Sequence, residues 1–222
     1  MQRAFARSLY AVVAAAVLAA LTSSPVLAGA ASDWSVGYYT PSGRALSNAS
    51  ADALPNGVAT FNFTSATNTA LLATTNGAFK GTLLGDDRGK TITATFEIMG
   101  ATGAFTYFGE GTADNSCVFP ANVRLFFLTS NAGGFDFTHF WWSDSAFAIL
   151  GDGTFSLTAN VSPVAWSDWN GKPAEANTAA FEAAASNVTL IGFSFGGGCF
   201  FENGVGTTDG SGTFNLDSFS LS

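Results

Sequence analysis

Residues 121–144, ANVRLFFLTSNAGGFDFTHFWWSD, read as two aromatic-rich strands around a turn. In the first arm Val123, Leu125 and Phe127 fall on one side and Arg124, Phe126 and Leu128 on the other, because successive strand side chains point to opposite faces. Both faces of that arm are therefore largely apolar. In the second arm Phe135, Phe137, His139 and Trp141 alternate with Asp136, Thr138, Phe140 and Trp142, and Asn131-Ala132-Gly133-Gly134 supplies turn chemistry between them. The stretch predicts the hydrophobic centre of a β-sandwich.

The same rhythm continues on either side. Strands are expected at 34–39 and 58–64, with a polar loop, SGRALSNASADALPNG, between them at 42–57. Further strands are expected at 79–84 and 91–99. In the second of these Ile92, Ala94, Phe96 and Ile98 alternate with Thr91, Thr93, Thr95 and Glu97, the pattern of an antiparallel sheet with one buried and one wet face. Segments 104–108, 147–150, 154–161, 188–196, 199–205 and 212–221 complete the set, with Gly and Asp between them. The one helical signal is the alanine-rich run at 174–186, which opens after Pro173. Strands and helices do not alternate, which excludes a doubly wound or barrel α/β fold.

At the start of the chain, Arg3 and Arg7 precede an apolar run from Leu9 to Leu21 and a small-residue ending Val26-Leu27-Ala28. These are the parts of a secretory signal peptide, so 1–28 are expected to be cleaved, leaving 29–222 as a single β-sandwich domain. The destination is then secreted or periplasmic, in a bacterial cell by the alanine-rich signal, with no membrane span after cleavage. All 16 acidic residues but only six of the eight basic ones follow residue 28, so the mature chain carries 6 − 16 = −10. Nucleic acid is excluded as a partner on that balance, since phosphate binding needs clustered Lys and Arg. With 25 Gly and 22 Phe the chain has ample material for a core and is not disordered. Its two cysteines, Cys117 and Cys199, are expected to pair in an oxidising compartment.

Two segments resemble known modules. NGAFKGTLLGDDRGKTITATFEI, residues 76–98, is similar to the part of jelly-roll modules in which an exposed loop precedes a long strand. The ending GTFNLDSFSLS, residues 212–222, resembles the closing strand of galactose-binding-like and carbohydrate-binding-module jelly rolls. The resemblance implies an all-β, two-sheet antiparallel jelly-roll β-sandwich with one short helix near 174–186, often with structural calcium and often a glycan ligand. For calcium it implies an acidic residue near each end of the domain, here Asp33 and Asp217, and no other cofactor is required.

Among chemistry-bearing residues the tryptophans stand out. Trp141-Trp142-Ser143-Asp144 and Trp166-Ser167-Asp168-Trp169 repeat a W-S-D triplet, once in an aromatic strand and once in what reads as a polar loop after Pro163. An exposed ring stacks on pyranose C–H groups while carboxylates and amides bond the hydroxyls, so Trp141, Asp144, Trp166, Asp168 and Trp169 are candidate sugar contacts; the competing reading makes the rings core plugs. Arg124, mid-strand among apolar residues, either joins that site or pairs with Glu97 or Asp136, because a buried unpaired charge costs too much. Were the protein an enzyme, Glu110 and Glu202, each after an aromatic strand, would be the carboxyl pair of a carbohydrate-active centre. Gly192-Phe193-Ser194-Phe195-Gly196 spells G-x-S-x-G, but a nucleophile elbow needs a following helix and a later histidine, and the only histidine, His139, comes earlier. The leading expectation is a non-catalytic glycan-binding module. The alternatives are a structural or matrix protein and a carboxylate-dependent enzyme.

Overall fold

The computed structural model describes residues 31–40, 43–75, 83–130 and 136–222. The expected signal peptide at 1–28 and the expected turn at 131–134 lie outside them, as does most of the expected strand at 79–84, whose described part, Leu83 and Leu84, is not strand. Among the described residues the chain forms thirteen strands: β1 (Ala31–Thr40), β2 (Gly43–Asp52), β3 (Ala59–Asn62), β4 (Asn68–Thr74), β5 (Thr91–Met99), β6 (Phe105–Tyr107), β7 (Asn122–Leu128), β8 (Phe140–Ile149), β9 (Gly153–Asn160), β10 (Trp166–Asp168), β11 (Leu190–Gly196), β12 (Val205–Thr207) and β13 (Thr213–Leu221). One α-helix, α1 (Thr178–Ala185), follows a 3-10 turn at Ala174–Asn177.

Where two sheets were expected, hydrogen bonding links all strands into one antiparallel sheet, in the order β10-β8-β7-β11-β4-β1-β2-β3-β13-β5-β9, with β12 pairing β4 and β6. The sheet curls into a half-barrel. Strands distant in this order meet across the interior: the Phe96 ring of β5 lies 5.5 Å from Phe193 of β11, and Phe195 of β11 lies 5.6 Å from Phe214 of β13. Curling lets one sheet bury its own apolar face, which a flat sheet does only against a second layer. The helix of the alanine-rich segment supplies Phe181 to the same core, against Phe127 at 5.7 Å and Trp141 at 5.1 Å.

The sheet divides into two kinds of strand. β5, β9 and β13 alternate buried with exposed or half-exposed residues, as their sequence period requires. β4, β7 and β11 are buried almost throughout, because a second apolar layer covers their outer face. That layer contains Leu71, Ala73, Phe126 and Trp142, edged by Tyr39, Leu128, Phe140, Leu190 and Phe201. The G-x-S-x-G segment lies in β11 and is neither elbow nor nucleophile. Its phenylalanines point into the core, while Ser194 and Gly196 keep the outer side small so that the loop after β11 can fold back over the sheet. A Cβ on Gly196 would come within 2.6 Å of the Phe200 carbonyl oxygen, and the Ser194 hydroxyl donates to the Phe201 carbonyl.

Local corrections follow from the same physics. The polar stretch 42–57 is not all loop: Gly43–Asp52 is β2, held by its ladder with β1 rather than by burial. β4 was not anticipated, since a strand covered on both faces shows no alternation. Residues 147–150 belong mostly to β8, and 199–205 form a turn that reaches strand only at Val205. Phe137–His139 is a 3-10 turn capped by the Asp136 carboxylate, so the alternation read there does not describe a strand. Cys117 and Cys199 form the expected disulfide, at solvent-exposed positions, tying the 113–120 loop to the turn after β11. Among the described residues no helix is long and apolar enough to cross a membrane.

Candidate functional site

The two W-S-D triplets are neighbours in the sheet. β10 runs antiparallel to β8 with Trp166 opposite Ser143, Ser167 opposite Trp142 and Asp168 opposite Trp141. Strand alternation then splits the repeat between two faces. Trp141 and Trp166 turn inward and are fully buried, their indole N–H groups donating to the carbonyls of Thr138 at 2.8 Å and Asn160 at 2.7 Å. Asp168 is buried as well, and its Oδ1 accepts from the backbone N–H groups of Asn170 and Lys172, closing the turn after β10. The loop and exposure expected of Trp166 and Asp168 are thus corrected: short as it is, β10 is a strand, and these residues, with Trp141, offer no surface to a sugar.

The outward half of the repeat gathers on one patch. Trp142 underlies it, stacked with Phe140 at 5.9 Å and tilted against Trp169 at 5.2 Å, while Phe140 meets Trp169 edge-on at 5.3 Å. Trp169 remains 37% exposed and the adjoining Phe137, whose carbonyl accepts from the Trp169 N–H, 44% exposed. Asp144 stands on the same face and its Oδ2 accepts from the Ser167 hydroxyl at 2.8 Å.

Arg124 also turns to this outer face but lies beneath it, only 6% exposed. Four residues of β8, 143–146, stand opposite the single residue Leu125 between the β7–β8 pairs Arg124–Phe147 and Phe126–Trp142, forming a bulge. The bulge turns the carbonyls of Ser143 and Asp144 out of the ladder, and Arg124 Nη1 donates to both, at 2.9 and 3.0 Å, while Nε donates to Asn122 Oδ1 at 3.1 Å. The rings of Phe201, Phe147 and Phe119 surround the guanidinium at 4.5, 4.8 and 5.7 Å. Burial pulls its pKa below the usual arginine value, and the charge of Asp144 opposes that pull. Among the described residues it pairs with neither Glu97 nor Asp136. Sequence reasoning missed its actual partners because they are backbone carbonyls exposed by a bulge that no residue pattern announces.

The two glutamates stand in different surroundings. Their loops adjoin, with Asn203 Nδ2 donating to the Phe108 carbonyl at 2.8 Å, but Glu110 is exposed beside an open cleft lined by Tyr107, Asn115 and Cys117. Glu202 turns into the protein, 9% exposed, where Oε1 accepts from the Tyr39 hydroxyl at 3.2 Å and Oε2 has no hydrogen-bond partner among the described residues. Burial lifts its carboxyl to about 8, against the Tyr39 hydrogen bond, which lowers it. Asp33 and Asp217 are exposed, and among the described residues no group of three or more His, Cys, Asp or Glu converges as metal ligands.

No family model matches this chain. Nor was a significant match found among curated proteins or solved structures, so the patch has to be interpreted from its own chemistry.

Proposed function

We propose that this is a secreted, non-catalytic binding module of the jelly-roll kind that takes a glycan on the outer aromatic patch, with Trp169 as the main stacking ring and Phe137 beside it. The observation that carries this reading is the placement of Trp169: a large ring left more than a third exposed on a bed of Phe140 and Trp142. A ring held on other rings keeps its orientation without a ligand, so little conformational entropy is lost on binding. The acidic chain and the scarcity of exposed cations favour a sugar over nucleic acid or sulfated polymer.

A glycan array probed with the mature protein, in calcium and in EDTA, followed by fluorescence titration of the best ligand, tests the reading. Trp169→Ala is expected to weaken binding by about tenfold or more, since stacking on one ring contributes roughly 1 to 2 kcal/mol. Unchanged affinity in both Trp169→Ala and Phe137→Ala, or silence across the array, overturns it. The burial of Trp34, Trp141, Trp142 and Trp166 favours a second reading, a structural protein whose aromatics are core; its signature is concentration-dependent self-association without a saturable small ligand.

A further inference from the structure

The two sulfurs of the Cys117–Cys199 bridge stand in unlike surroundings. Both cysteines are exposed, but Cys117 forms part of the wall of an open cleft of about 580 Å³, and among the described residues Cys199 does not. A cleft of that volume accommodates a small molecule. The loop around it is held by its own hydrogen bonds, the Glu110 N–H donating to the Tyr107 carbonyl and the Thr112 N–H to the Gly109 carbonyl, each at 3.1 Å. Val118, 95% exposed, adds an apolar wall beside Cys117.

Thiol–disulfide exchange depends on access to the sulfur attacked and on how well the departing sulfur carries negative charge. Access favours attack at Cys117. Charge favours departure of Cys199, because the Cys117 backbone N–H donates to Cys199 Sγ at 3.2 Å, a bond that strengthens as that sulfur becomes a thiolate. The backbone around the bridge has other ties. Buried Asn115 accepts from the Cys199 N–H at 2.7 Å, and the Gly198 N–H donates to the Phe119 carbonyl at 2.7 Å. Opening the S–S bond therefore leaves the two segments joined, and exchange needs no unfolding. The same cleft carries Glu110, an exposed carboxylate on an acidic chain, which draws a cationic thiol and repels an anionic one.

We infer that Cys117 is a capture site for small aminothiols, with Cys199 as the leaving sulfur and Glu110 facing the ligand's ammonium. The ligand thiol gives its proton to water, and the thiolate attacks Cys117 Sγ. A new S–S bond forms between them as the Cys117–Cys199 bond breaks, and the electron pair of the broken bond departs on Cys199 Sγ, which takes a proton from water. The ligand sulfur is oxidised to a mixed disulfide and Cys199 is reduced to a thiol, so no further oxidant or reductant enters.

The test exposes the unaltered protein to cysteamine, quenches with acid at successive times, alkylates free thiols with a maleimide at mildly acidic pH and maps the products by mass spectrometry. The adduct is expected on Cys117, with Cys199 alkylated, in about tenfold excess over the reverse, the difference one charge-assisted hydrogen bond makes. An adduct shared equally, or held mainly by Cys199, overturns the assignment. Rates of bridge opening are compared for cysteamine, neutral mercaptoethanol and anionic mercaptoethanesulfonate, each divided by its rate on a small linear disulfide. Cysteamine is expected to lead the sulfonate by about tenfold in dilute buffer, and the gap to close at about 1 M salt. Glu110→Gln, a change at an exposed position, is expected to narrow that lead by roughly twofold or more. An unchanged lead means that the thiol does not enter through the cleft, which overturns the proposal even where the adduct is too short-lived to collect. Opening of the bridge only under unfolding conditions overturns it as well.

Discussion

Replacing Glu202 by glutamine is expected to stabilise the fold by roughly 5 kcal/mol at about pH 9 and to change it little at about pH 4. The carboxyl of Glu202 has an ordinary value of 4.5 in the unfolded chain and about 8 in the folded one, raised chiefly by burial. The folded state thus favours the protonated form. The stability this confers is fully present below the unfolded value and is lost at about 1.4 kcal/mol per pH unit as pH rises from there through the folded value. Glutamine resembles the protonated acid at every pH, so the difference between the two proteins opens with pH. Asp87, also buried and also raised, adds to the pH dependence of both proteins alike and cancels in the comparison. Denaturant unfolding of both proteins across that range measures the effect. Parallel curves would mean that Glu202 is solvated and that the loop after β11 does not lie over the sheet.

Removing the Cys117–Cys199 bridge has the other large effect. The cysteines are 82 residues apart, and on the chain-entropy model closing a loop of that length contributes about 4.5 kcal/mol. The paired Cys117→Ala, Cys199→Ala protein is expected to lose that much, with a proportionate fall in its denaturation midpoint. Because both cysteines are solvent-exposed, a mild reductant should reach the bond in the native protein and produce the same shift without prior unfolding. An unaltered midpoint would show that the native fold, and not restriction of the unfolded chain, holds the 113–120 loop against the turn after β11. Reduction should also loosen Phe201, two residues beyond Cys199, whose ring lies 4.5 Å from the Arg124 guanidinium.

Much of this architecture is legible in the residues themselves. The alternation of Ile92, Ala94, Phe96 and Ile98 with threonines places β5 and its wet face, the alanine run after Pro173 places α1, and two cysteines in an otherwise cysteine-free chain place the bridge. Those features depend on local period and propensity, or on chemistry with one possible partner. The alternation of 123, 125 and 127 against 124, 126 and 128 likewise told that β7 has two apolar faces. It did not tell which face meets the core or what covers the other. Only the tertiary structure decided that the sheet curls on itself, that the loop carrying Phe201 and Glu202 returns over β11, and that the two W-S-D triplets lie side by side. Those outcomes moved Trp141, Trp166 and Asp168 inward, left Trp169 on the outer patch and aimed Arg124 at the carbonyls of a bulge. The physical reason is one of range: a strand's period sets which side chains share a face, while the environment of that face is set by segments far away in the chain, whose arrival no local pattern encodes.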